Sequence, residues 1–188
     1  MSKIALSPNA SGTGVFTIAS PNGNTDRTLT LPDEAGTVLT TAGIPASALP
    51  SLSILQIQEM FSTTVTQTTS TTFQPTAFNV SITPSSTSSK ILVFHQGMVN
   101  SLANTTWAFV SLYRDGTNFF DGGSQSAAGG VYANGSVDTH TPVTFMYLDS
   151  PNTTSSVNYR IYVKSNNGQN VRYNADGWKL RMYAMELK

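Results

Sequence analysis

Apolar positions in the last two thirds of the chain recur with a period of two, in short runs separated by Pro, Gly, Asn, Asp and Ser. Phe78, Val80 and Ile82 alternate with polar residues and stop before Pro84, Ile54–Phe61 is rich in apolar residues, and Lys90–Val99 is nearly continuous apolar sequence. Trp107–Arg114 leads into Asp115-Gly116, a dipeptide suited to a tight hairpin turn, so Thr117–Phe120 is expected to pair back on it. Pro142–Leu148, Val157–Lys164, Gln169–Tyr173 and Trp178–Leu187 complete the predicted strands. Nowhere is a 3.6-residue apolar period sustained over three turns. The pattern therefore predicts an all-β, jelly-roll-like antiparallel β-sandwich head over residues 54–188.

The first part reads differently. Phe16 and Ile18 are in phase, as are Leu29 and Leu31, with turns expected at Pro21–Gly23 and Asp33–Gly36. In TLTLPDEAGTVLTT (28–41), Pro32 breaks the ladder, Asp33 to Gly36 turn, and Val38 and Leu39 resume an apolar edge. A two-stranded hairpin with so little apolar surface is marginal alone in water and needs neighbours, for which other copies of the chain are suited. Residues 1–42 are therefore expected to form an extended β region that associates with other copies. Its candidate contacts are Phe16, Ile18, Leu29, Leu31, Pro32, Asp33, Gly36, Val38 and Leu39. Residues 43–53, with Pro45 and Pro50, read as a semi-rigid linker.

Composition narrows the function classes. Only 11% of the 188 residues are charged and the formal net charge is zero, which removes the long-range attraction that nucleic acid or an anionic membrane would require. No segment approaches a membrane span or a secretory leader, so neither membrane insertion nor signal-directed secretion is expected. With no cysteine there is no disulfide framework.

Candidate chemistry is sparse. His95 lies in the apolar run ILVFHQGMV, where a satisfied, buried imidazole is expected. His140 and Asp138 share a strand face and can pair, but no nucleophile nearby completes a triad. Asp115-Gly116-Thr117-Asn118 echoes part of a calcium loop without its remaining ligands, so a hairpin turn is the better account. No catalytic residue, metal site or cofactor is expected. Most aromatics fall on strands and are expected in the core. Tyr132 and Tyr173 fall instead in the polar loops 121–136 and 166–177. Beside Asn134, Asn166 and Asn167 they offer ring faces and amides suited to a sugar, which makes these five the receptor-contact candidates.

The TLTLPDxxGTVLTT pattern, preceded by SGTGVFTIASPNGNTD, resembles the amino-terminal segment of many bacteriophage tail-fibre and related virion-surface proteins. TSTTFQPTAFNVSITPSSTSSKILVF (69–94) and FMYLDSPNTTSSVNYRIYV (145–163) are similar to the β-domain of the same group. The resemblance implies a homotrimer at the virion surface, bound to other virion proteins of the tail, baseplate or capsid. It fits a short tail fibre, attached through its first region and offering its head to a host-surface glycan. A trimeric capsid decoration or cement protein is the alternative, suggested by a motif that begins almost at Met1. A small carbohydrate-active enzyme or a lectin is a third reading.

Overall fold

A computed structural model of the chain describes residues 11–15, 17, 22–26, 28, 49–122, 125–134 and 138–188. The chain forms two compact units, Met1–Val38 and Leu39–Lys188. The described residues of the first are exposed and bend over 22–25. In the second, the described residues form strands and turns without helix.

The strands are β1 (Ile54–Ser62), β2 (Thr66–Thr68), β3 (Gln74–Ile82), β4 (Lys90–Ser101), β5 (Thr106–Arg114) and β6 (Thr117–Asn118). β7 (Gly129–Ala133), β8 (Thr139–Asp149), β9 (Val157–Ser165), β10 (Val171–Tyr173) and β11 (Leu180–Leu187) follow. They build two antiparallel sheets packed as a sandwich. In the first, β1 pairs with β11, and β11 with the first half of β4. β10 takes the rest of that edge of β4 and pairs with β2, while β8 lines the other edge. In the second, the order is β3, β9, β5, with β7 and β6 on successive stretches of the far edge of β5.

Alternation explains the core. On β9, Val157, Tyr159, Ile161 and Val163 are buried while the residues between them are half-buried. On β5, Ala108, Val110 and Leu112 point inward to meet them. Phe78, Val80 and Ile82 of β3 and Ile91, Val93 and Val99 of β4 close the same core. Each such side chain contributes about 1.5–3 kcal/mol relative to exposure. At the end of β5, Asp115 and Gly116 have φ values of 48° and 85°, the left-handed geometry of a tight hairpin. Thr117 and Asn118 pair back and Phe119 N donates to Leu112 O, a return one residue shorter than predicted.

Two expectations are corrected here. Tyr132 lies on β7, whose five residues include two glycines and so look like loop in sequence; pairing with the rigid edge of β5 makes them a strand. The aromatics of the strands are also not mostly core. Phe94, Tyr113, Tyr162 and Tyr183 are half-buried and Trp107 is exposed, because they occupy the outward positions of their strands.

One end of the sandwich holds Ile54, Leu187, Lys90 and Asp149, brought together by strand register. There the chain enters and β11 ends, with Leu52 N donating to Lys188 O and Lys188 N to Ser53 O. The opposite end holds Ser101, Thr106, Ala133, Thr139 and Ser165. Between them β4 runs on the order of 40 Å at roughly 3.4 Å per residue.

Candidate assembly and ligand-binding surfaces

The two outer faces of the sandwich differ in chemistry. On the first sheet, register aligns Ile57, Met185, Leu92 and Leu148 in one row across β1, β11, β4 and β8. The next row is Glu59, Tyr183, Phe94 and Met146, and the next Phe61, Arg181, Gln96 and Thr144. Met146 is 73% exposed, Phe61 56%, Ile57 52% and Leu148 47%. On this face Arg181 pairs with Glu59, and the Lys179 ammonium, still charged, lies with its Nζ 4.4 Å from the centre of the Phe61 ring. An aliphatic surface continuous across four strands exceeds the scattered apolar exposure of an ordinary monomer.

The outer face of the second sheet is aromatic and polar. Its first row is Tyr132, Trp107 and Asn166, its second Gly130, Phe109 and Lys164, and its third includes Ser111 and Tyr162. Trp107 stacks on Phe109 at 5.5 Å with planes 2° apart and meets Tyr132 at 5.0 Å with planes tilted by 33°. Phe109 presses over Gly130, where an added Cβ would strike the Ala108 carbonyl and the Phe109 ring. Lys164 Nζ lies 4.7 Å from the centre of the Phe73 ring and 5.7 Å from that of Phe109. Tyr113 stacks on Tyr162 at 3.9 Å, and burial together with Tyr162 and Asp121 pushes its phenol pKa up.

Four of the five receptor-contact candidates gather at the end of the sandwich away from the point of chain entry. Tyr132 is 39% exposed, Asn134 follows it, and both Asn166 and Asn167 are exposed. Asn166 Oδ1 accepts from Trp107 N at 2.8 Å, and Asn167 Nδ2 donates to Thr105 O at 3.2 Å, so these amides also fix the 104–107 loop. Tyr173 is the exception and is corrected: it is fully buried on β10, inaccessible to any receptor. Trp107, expected in the core from its strand, is instead exposed beside Tyr132; the register that turns it outward depends on β7 and β9. The amino-terminal candidates Phe16, Ile18, Leu29, Leu31, Pro32, Asp33, Gly36, Val38 and Leu39 lie outside the described residues.

The titratable groups are engaged structurally. His95 Nδ1–H donates to Arg181 O at 2.6 Å, so Nε2 is the acceptor for the Tyr173 hydroxyl, also at 2.6 Å. Burial lowers the His95 pKa from 6.5 to about 4, partly opposed by the Arg181 carbonyl. Arg114 Nη1 donates to both oxygens of Asp149, and Tyr159 Oη donates to Asp149 Oδ2 at 2.6 Å. Burial opposes ionisation of Glu186, but hydrogen bonds from Ser85, Ser89 and Gln56 outweigh it and hold its carboxyl below the usual range.

His140 and Asp138 do pair, at 3.0 Å, with Asp176 3.5 Å from the other ring nitrogen. The imidazole thus bridges the two carboxylates. Among the described residues no group of His, Cys, Asp or Glu is arranged to hold a metal ion. No helix among them is long and apolar enough to cross a membrane. Compared with known proteins, the chain matches no family model and no curated protein.

Proposed function

We propose that the chain is a non-enzymatic bacteriophage virion protein, a homotrimeric short tail fibre that attaches through its amino-terminal region and presents a jelly-roll head to the host surface. The observation that carries the reading is the aliphatic row Ile57, Met185, Leu92 and Leu148, whose exposed members need a cover that other copies supply. The four-strand face measures about 19 Å across at roughly 4.8 Å per strand, and over six residues of strand about 20 Å along. That footprint of about 380 Å² is roughly half of the 800 Å² per partner of a standard interface, so the trimer also needs contacts from elsewhere, for which the amino-terminal region is the candidate.

Strand order supports the jelly-roll reading: β1, β11, β4 and β8 lie against β3, β9, β5 and β7, so that neighbours in sequence fall repeatedly in opposite sheets. The polarity of the sandwich supports the adhesive role. The chain enters at one end, while Trp107, Tyr132, Asn134 and Asn166 are displayed at the other.

Native mass spectrometry of the full chain is expected to give three copies. Met146→Asp combined with Ile57→Asp is expected to shift the mass to one copy while the far-ultraviolet β signal persists. A stable wild-type monomer would remove the reading's foundation. A capsid-decoration protein would turn the same aliphatic face toward capsid subunits. Immunogold labelling of intact virions separates the two, with label expected at the tail in tens of copies or fewer, against hundreds over the head for decoration.

A further inference from the structure

We propose that the Trp107 end of the second sheet's outer face binds a carboxylated sugar of a surface polysaccharide, with Trp107 and Tyr132 as the ring platform and Lys164 as the cation that meets the carboxylate. The proposal rests on the head being the outward-facing part of the molecule, and adds to it the site and the class of glycan.

Three observations converge. Trp107 is 40% exposed on a central strand, yet its plane is fixed by the parallel Phe109 ring behind it and by Tyr132 beside it. A sugar therefore meets a surface already in place and does not have to order it, which lowers the entropic cost of binding. The apolar face of a pyranose suits such a ring, while its hydroxyl rim needs hydrogen-bond partners. Asn166, whose N donates to Trp107 O and so lies next in the same row, is exposed and among the described residues engages only its Oδ1, on Trp107 N, leaving Nδ2 as a donor at the platform's edge.

Charge supplies the third. Lys164 stands one row on, about 7 Å along the strand, within reach of an adjoining sugar. Neither Lys164 nor Arg160, which follows on the same face of β9, makes an ion pair among the described residues. The rows holding Trp107, Phe109 and Tyr162 contain no carboxylate. Lys164, one row from the aromatic platform and in no ion pair among the described residues, leaves the counter-charge to the ligand.

The test is calorimetric titration of the full chain with oligogalacturonate, with its methyl ester and with sialyllactose. The ester keeps the ring and removes the charge. The acidic oligomer is expected to bind at least ten-fold more tightly than its ester. Lys164→Gln is expected to erase that difference, Tyr132→Ala to weaken both ligands, and Trp107→Ala to abolish both with the unfolding temperature of the sandwich retained. Preference for oligogalacturonate or for sialyllactose assigns the carboxylate to a uronate or to a sialate. Should Trp107→Ala fail to fold, Tyr132→Ala and Lys164→Gln decide the matter. Binding of none of the three probes, or unchanged binding in Lys164→Gln and Tyr132→Ala, overturns the site. So does loss of the trimer in these variants, which would make this face an interface between copies. A wild-type monomer that still binds the acidic oligomer would sink the trimeric reading and leave the site standing.

Discussion

The His95 imidazole is neutral because both of its nitrogens are already committed, one as donor to the Arg181 carbonyl and the other as acceptor from Tyr173. Protonation would place a second N–H against the Tyr173 hydroxyl inside the core. The unfolded chain takes up this proton near pH 6.5 and the folded chain only near 4, so stability is complete above pH 6.5 and falls as the pH is lowered between those values. The loss amounts to roughly 3 kcal/mol. Below the ordinary carboxyl range protonation of Glu186 adds to it, since its folded pKa is also depressed. Urea unfolding at pH 7.5, 5.5 and 4 measures the slope, and His95→Gln is expected to flatten it between 6.5 and 4.5. Gly97 is tied to the same cluster, because an added Cβ would fall on the Tyr173 hydroxyl. Gly97→Ala is expected to cost about 1–3 kcal/mol, read as a lower thermal midpoint. His95 was legible in sequence because its apolar neighbours surround it on its own strand. Tyr173 was not, since the partner that draws it inward stands 78 residues away.

Single strands announce two faces without saying which is inside. β9 and β3 alternate clearly enough to be placed from sequence, and their apolar positions are those in the core. On β5 both faces carry large rings and aliphatics, so Trp107 and Val110 look alike until β7 and β9 fix the register. β2 and β7 are too short and too rich in Thr, Gln and Gly to read as strands in their own right, whereas β10 lies inside the predicted strand Gln169–Tyr173. β2 and β7 exist because the edge of β5 offers unpaired backbone groups to β7, and β10, itself laid on the edge of β4, offers them to β2. At the chain-entry end, the two sheets are joined by polar bonds in addition to packing: Asp149 closes β8 onto Arg114 of β5 and Tyr159 of β9. Asp149→Ala leaves a guanidinium and a buried phenol without their acceptor, and is expected to destabilise the sandwich by about 3 kcal/mol in denaturant unfolding. Asp149→Asn, which keeps an acceptor for both, is expected to recover part of that loss.

For the whole molecule, the contrast between the aliphatic and aromatic outer faces predicts two separable functions. Met146 is mostly exposed, so Met146→Asp is expected to weaken association between copies, seen as a concentration-dependent shift in sedimentation, with little effect on unfolding of the separated sandwich. Leu148→Asp is expected to behave alike. Neither substitution is expected to alter sugar binding, which uses the other face. The TLTLPDEAGTVLTT hairpin raises self-association as an expectation in the sequence; the aliphatic rows across β1, β11, β4 and β8 are not legible there, because register joins residues as far apart as Ile57 and Met185. The position of chain entry also governs how the domain bears tension. A pull transmitted from residue 53 to a ligand held near Trp107 runs parallel to the strands. The ladder from Ile54–Leu187 to Ser62–Leu180 lies across that direction, so its hydrogen bonds are sheared together rather than peeled apart one after another. A domain loaded this way resists unfolding under a pull along its strands.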